Sequence, residues 1–199
     1  MKSVFVAILA SLFLWACSPA SAPQQQATQT QVPPGDGGPP GTSAVSELEN
    51  TIYLQLKTGR VVIKLRADLA PQHAARIKQL TREGFYNGLK FHRVIDRFMA
   101  QTGDPTGTGT SGSKYPNLKA EFSTVPFTRG IVGMARAGSS DSANSQFFIM
   151  FGEARSLDNQ YTVIGEVRSG MEHVDKIKRG EPPANPDIIV NMKVAADVK

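Results

Sequence analysis

The sequence predicts a mainly β domain: an antiparallel barrel, closed or nearly closed, capped by two helices. Three observations carry the expectation. Short apolar runs rich in strand-forming residues recur from residue 51 onward, separated by Gly, Asn, Asp or Pro. Two stretches read as helices, and no internal repeat is present. About 150 residues follow Glu47, enough for one domain with a core of its own.

In chain order, "TIYLQLKTGRVVIKL" (51–65) sets Ile52, Leu54 and Leu56 against Tyr53, Gln55 and Lys57, then Val61, Ile63 and Leu65 against Val62 and Lys64. With Thr58-Gly59 between, it predicts a β-hairpin. "DLAPQHAARIKQLTREG" (68–84) offers Asp68 as N-cap, Pro71 in the first turn, Ala74, Ile77 and Leu80 at helical spacing, and Gly84 as the stop. Strands are expected at "FHRVI", "FMAQTG", "GIVGMA", "SQFFIMF" and "YTVIGEV". A second helix, "MEHVDKIK" (171–178), precedes a last strand, "DIIVNMKVA".

The N-terminal residues are of another kind. Lys2 and the apolar run Val4–Ala16 form a segment too short to span a bilayer and read as a secretory signal, residues 1–16. Cys17 after Leu14-Trp15-Ala16 resembles a bacterial lipobox, which implies a lipidated Cys17 as the first mature residue. The competing reading is cleavage after Ala20-Ser21-Ala22, leaving a soluble secreted chain. Residues 17–46 hold Pro, Gln, Gly, Ser and Thr with few bulky apolar side chains, so they read as a disordered tether to a domain at 47–199. Cys17 is the one cysteine, so no intramolecular disulfide supports that domain. The net charge of +5 is spread without a Lys/Arg run, which argues for solubility rather than a nucleic-acid partner.

The Gly/Thr run "GTGTSG" (107–112) matches a dinucleotide fingerprint in letters alone. Its continuation, "SKYPN", places Pro116 where a helix must open, and Lys114 is one residue out of place for a phosphate loop. It reads as a surface loop. Three scattered histidines provide no metal set, with His73 and His173 expected to be solvated. In a strand "FHRVI", Phe91, Arg93 and Ile95 share one face. A guanidinium among apolar neighbours is either ion-paired or reserved for a ligand, and spacing leaves both open.

The blocks "FHRVIDRFMAQTGD", "GIVGMARAG", "NSQFFI" and "SLDNQYTVIGEV", in this order, resemble the signatures of the cyclophilin family of peptidyl-prolyl isomerases. The resemblance runs from about Thr51 to the C-terminus. It implies a closed eight-stranded antiparallel barrel with two capping helices and a groove on its outer surface. It implies Arg93, Gln101 and Phe98 as catalytic residues. Met99 and Phe148 complete the proline pocket with Phe98, Leu157 and Tyr161 form its rim, and Gln146 lines the groove. Ala135 and Arg136 offer backbone groups to the peptide, and His92 plays a supporting part. No cofactor or metal is implied.

The expected partners are proline-containing unfolded or flexible polypeptides, with the protein a monomer. The pattern "MARAG...DSANSQFFI" looks like the exported bacterial branch, which places the protein on the periplasmic side of the envelope, anchored through Cys17 to the outer membrane or soluble in the periplasm. Three positions depart from the common family pattern: Ser156 replaces Trp, Tyr161 replaces His and Arg136 replaces Asn. Loss of the indole implies weak cyclosporin binding. The alternative function is a proline-segment binding module, a holdase without significant turnover.

Overall fold

Why the alternating runs become strands is clearest in the first hairpin. A computed structural model describes residues 40–198. β1 (Thr51–Leu56) and β2 (Gly59–Leu65) pair in register from Thr51↔Lys64 to Leu56↔Gly59. The six apolar residues named above are all buried on one face. At the turn, Gly59 has a φ of 150°, and the ring of His173 lies 2.3 Å from where a Cβ would stand. His173 therefore packs over the hairpin instead of standing in solvent.

α2 (Pro71–Arg82) buries Ala74, Ile77 and Leu80, as their spacing predicts. Its cap differs. Asp68 is drawn away by Arg66, whose Nε and Nη2 donate to its carboxylate, and Ala70 is the N-cap residue with no side-chain bond. Glu121, from a distant loop, accepts from the Gln72 and His73 amides at 3.1 Å each and contacts His73 Nδ1 at 2.6 Å. A carboxylate at a helix N-terminus satisfies otherwise unpaired donors and complements the dipole. His73, expected in solvent, is fully buried by this contact.

The remaining strands are β3 (Arg93–Ile95), β4 (Met99–Thr102), β5 (Ile131–Met134), β6 (Phe147–Met150), β7 (Val163–Ser169) and β8 (Asn191–Val194). The eight form one antiparallel sheet in the order β3-β4-β6-β5-β7-β2-β1-β8. The expected closed barrel is here an open, curled half-barrel, because β3 and β8 do not pair. Single bridges, Lys90↔Ile188 and Val94↔Gly180, stand at the seam. Pro182, Pro183 and Pro186 lie between the two bridging points, and residues without an N–H cannot extend a ladder.

The second helix is shorter than expected: α3 is Met171–Val174. The chain then turns at Asp175, whose carboxylate Arg129 grips with both Nη atoms at 2.8 and 2.7 Å. An additional helix, α1 (Pro40–Glu49), takes up the last residues of the expected tether. The rest of the tether and the signal segment lie outside the described residues.

Two apolar clusters flank the sheet. The inner one joins β1, β2 and β8 to Ala74, Ile77 and Leu80 of α2 and to Val174. The other gathers Met99, Phe127, Ile131, Phe148, Met150 and Val163, with Phe98, Leu157 and Tyr161 packed against it.

Candidate active site

Strand register builds the site. Across β3, β4, β6 and β5 the partners Arg93↔Gln101, Gln101↔Phe148 and Phe148↔Gly133 form one transverse row. Directly opposed residues point to the same face, and the adjacent row points to the other. That adjacent row is Val94, Ala100, Ile149 and Val132, all in the inner core. Arg93, Gln101 and Phe148 therefore share the outer face, together with Ile95 and Met99 from the next row.

Phe91 does not join them. β3 starts only at Arg93, so the alternation breaks before it, and Phe91 is fully buried in the inner core. Arg93 stays exposed and donates from Nε to Glu181 Oε2 at 2.8 Å. Of the alternatives open from spacing, an ion pair is present, and it borders a groove.

The groove has a volume of about 450 Å³. Phe98, Met99 and Phe148 line its apolar part beside Leu157 and Tyr161, while Arg93 and Gln101 line its polar part. Tyr161 meets Phe148 edge-on, with centroids 5.8 Å apart at 82°. The Arg136 guanidinium lies 4.6 Å above the Tyr161 ring and is held by the carbonyls of Gln160, Ala137 and Gly138. Two of the three departures from the family pattern thus rest on one another. The third, Ser156, is exposed in a short 3-10 turn, Arg155–Leu157.

Three expected site residues are placed differently in detail. Gln146 lines an adjoining recess rather than the groove itself. It accepts from Gln101 Nε2 at 2.8 Å and donates to the Gly109 and Ser111 carbonyls, so it orients Gln101 from behind. The Ala135 N–H is taken by the Gln146 carbonyl at 2.9 Å, which removes one backbone donor expected to meet the peptide. His92 touches the groove but is 5% exposed, and neither ring nitrogen makes a well-aligned hydrogen bond among the described residues, although the Lys90 backbone and the Gln146 side chain lie close by. Burial pushes its pKa down, and the nearby Asp104 carboxylate opposes that.

Sequence reasoning did not identify Glu181, Pro182 or the Gly107–Thr110 wall as groove lining. The wall has a local signal in retrospect: Asp104 followed by Thr and Gly residues is Asx-turn chemistry. Asp104 is buried, and its carboxylate accepts from the Thr106 amide and hydroxyl, each at 2.8 Å, and from the Gly109 amide. Burial raises the Asp104 pKa, but these bonds outweigh it and hold the group below the usual carboxylate value. The loop amides that a phosphate would need are thus committed to a carboxylate of the chain. Ser145, for its part, is fully buried and donates to the Gly103 carbonyl, so it is no nucleophile.

A solvent-open groove with an apolar floor, the Arg93 guanidinium and the Gln101 amide on its polar side, and the Gln146 amide behind Gln101, defines a peptide-binding β protein suited to conformational chemistry. Comparisons with known proteins identify that class. The family model "Cyclophilin type peptidyl-prolyl cis-trans isomerase/CLD" matches residues 51–194. A probable peptidyl-prolyl cis-trans isomerase of Brucella suis is 52% identical over 174 residues, covering 79% of this chain and 89% of that protein. One from Helicobacter pylori is 43% identical over 141 residues, covering 68% and 85%. The crystal structure of a cyclophilin from Hirschia baltica superposes with a TM-score of 0.71 at 29% identity, over 76% of each chain.

The chain belongs to the cyclophilin-type peptidyl-prolyl cis-trans isomerase family. Its function is to isomerise X-Pro peptide bonds.

Proposed function

We propose that Arg93 is the hydrogen-bond donor that accelerates this isomerisation, and that the row Arg93–Gln101–Phe148 carries the assignment. A peptide bond twists over a barrier of about 18–20 kcal/mol because the nitrogen lone pair is delocalised into the carbonyl. Twisting localises that lone pair and makes it an acceptor. A donor aimed at the prolyl nitrogen therefore stabilises the twisted state more than either planar state.

The Arg93 and Phe148 backbones are two strand spacings apart, about 10 Å. A prolyl ring seated on Phe148, Met99 and Phe98 then holds its nitrogen within reach of the guanidinium. Only Nε of Arg93 has a hydrogen-bond partner among the described residues, which leaves both Nη atoms for the substrate. An acceleration of about 10⁵ requires roughly 7 kcal/mol. One charge-assisted bond contributes about 1.5–3 kcal/mol, so immobilising the ring and the peptide through Gln101 supplies the rest. A related cyclophilin-type isomerase of Cryptosporidium parvum has been crystallised with the dipeptide Ala-Pro, which supports proline-containing segments as substrates here.

The biological setting belongs to the same proposal. Signal-like residues 1–16 and Cys17 support a lipid anchor at the outer membrane, or failing that a soluble periplasmic enzyme, acting as a monomer on exported chains. Ser156 in place of an indole supports weak cyclosporin binding. Arg93→Lys tests the chemistry: it keeps the charge but removes the planar fork, and turnover should fall at least about tenfold with the melting temperature unchanged. Undiminished turnover overturns the assignment. Incorporation of labelled palmitate into the wild-type chain but not into Cys17→Ser tests the anchor, and equal labelling rejects it.

A further inference from the structure

Three consecutive residues, Arg179, Gly180 and Glu181, run antiparallel to residues 93–96 and attach to β3 at two points and to Asp96 just beyond it at a third. Arg179 Nε donates to Asp96 Oδ1 at 3.2 Å, while its guanidinium lies 4.1 Å over the Phe151 ring. Gly180 and Val94 exchange both of their backbone hydrogen bonds at 2.8 Å. Glu181 then reaches Arg93 Nε at 2.8 Å. The strap is held from its other side as well, since Arg179 Nη1 donates to the Asp175 carbonyl. A Cβ on Gly180 would stand 2.6 Å from Pro183 Cα, so the backbone that presents Glu181 is closely packed.

We infer that Glu181 is a positioning residue for catalysis, holding the Arg93 guanidinium by its Nε so that Nη1 and Nη2 face the prolyl nitrogen. An arginine side chain has several rotatable bonds and loses considerable rotamer entropy when fixed. Arg93 is 45% exposed and extends from the edge strand of the sheet, so apolar packing does little to fix it. A carboxylate on Nε fixes the plane of the fork without occupying its two terminal nitrogens. Glu181 also borders the groove beside Pro182 and Arg93, and thus acts within the space the substrate enters. The pair is half-exposed on both sides, so its effect lies in geometry rather than in fold stability.

The inference rests on Arg93 being the donor, and the test separates the two. Turnover of a Pro-containing peptide is measured by exchange NMR for the full chain, Glu181→Ala, Glu181→Gln, Arg93→Ala and the double variant. Glu181→Ala should lower kcat about threefold to tenfold, with KM and the melting temperature held, and Glu181→Gln should recover part of the loss because its amide oxygen accepts from Nε. In the Arg93→Ala background, Glu181→Ala should have no further effect. Independently of activity, the Arg93 Nε–H signal should exchange with water faster in Glu181→Ala.

Wild-type kcat in Glu181→Ala, a rise in kcat, an equal loss in the Arg93→Ala background, or an unchanged Nε–H signal would each overturn the positioning role. Wild-type turnover in Arg93→Ala would instead defeat the donor assignment, and the Nε–H signal would still report on the pair.

Discussion

One methyl group added at Gly133 should disable the groove from behind. Gly133 lies opposite Phe148 in the β5–β6 ladder, and a Cβ there would stand 2.5 Å from Phe148 Cζ and 2.7 Å from Phe127 Cε1. Favourable carbon contacts begin near 3.5 Å, so about 1 Å must be found. Phe127 is fully buried and cannot retreat, whereas Phe148 borders the groove and has space on that side. The Gly133→Ala variant should therefore raise the floor of the proline pocket. Overpacking of this kind costs about 1–3 kcal/mol. In a chain of this size that is roughly a 2–12 °C fall in melting temperature. A displacement of about 1 Å in a catalytic surface costs up to about 10²-fold in rate. Exchange NMR on a short Ala-Pro-Phe peptide and thermal unfolding by circular dichroism measure both. Adding Phe148→Leu to Gly133→Ala should restore part of the melting temperature without restoring turnover. Wild-type turnover and melting temperature in Gly133→Ala would refute the reasoning that Phe148 floors the pocket and that Gly133 makes room for it.

Other expectations follow from the buried polar groups. His73 and His92 have lowered pKa values, in both cases chiefly through burial, against the opposing carboxylates of Glu121 and Asp104 respectively. Below about pH 6.5 the unfolded chain binds protons that these folded imidazoles resist, so stability is full above that pH and declines as pH falls below it. The urea midpoint should drop from neutral to mildly acidic pH, less so in a His73→Gln, His92→Gln chain; a midpoint that rises on acidification contradicts this. Asp104→Ala should replace the bonds from the exposed Thr106 and Gly109 amides to its carboxylate with bonds to water and destabilise by about 1–3 kcal/mol. Hydrogen exchange confined to residues 106–111 should accelerate, and no change there would show the carboxylate to be dispensable. Arg82 joins Glu49 of α1 to Asp197, with Nη2–Oε2 at 2.7 Å and Nε–Oδ2 at 2.9 Å. Because it is 42% exposed, Arg82→Ala should cost no more than about 1 kcal/mol, with the difference from wild type vanishing in high salt.

Period-two alternation was enough to read the first hairpin and its buried face, because it depends on neighbours two residues away. The other strands were legible as short apolar runs between turn residues, and two of them, β5 and β6, are buried on both faces. Helix α2 was readable from Ala74, Ile77 and Leu80 because their three-residue spacing is equally local. Its cap was not, because Glu121 arrives from nearly fifty residues downstream and competes with an Asp68 that Arg66 has already engaged. The floor of the groove could be named only through family resemblance. By type alone Phe98, Met99 and Phe148 are core residues, and they do belong to an apolar cluster, but one on the outer side of the sheet. His73 and His173 show the limit of helix patterning: polarity suggested solvent, but a carboxylate lets His73 be buried and a side-chain-free glycine lets His173 pack half-buried over the hairpin. Glu181 had no local signal at all, since its partner lies 88 residues earlier in the chain.

The most direct test of the account is cis/trans exchange of an Ala-Pro-Phe peptide followed by NMR, with the wild-type chain and Arg93→Ala at matched concentration. The account predicts exchange accelerated by the wild type and reduced by at least about 100-fold in a well-folded Arg93→Ala, about 3 kcal/mol of transition-state stabilisation. Equal acceleration by both proteins would show that the arginine at the end of the row is not the donor.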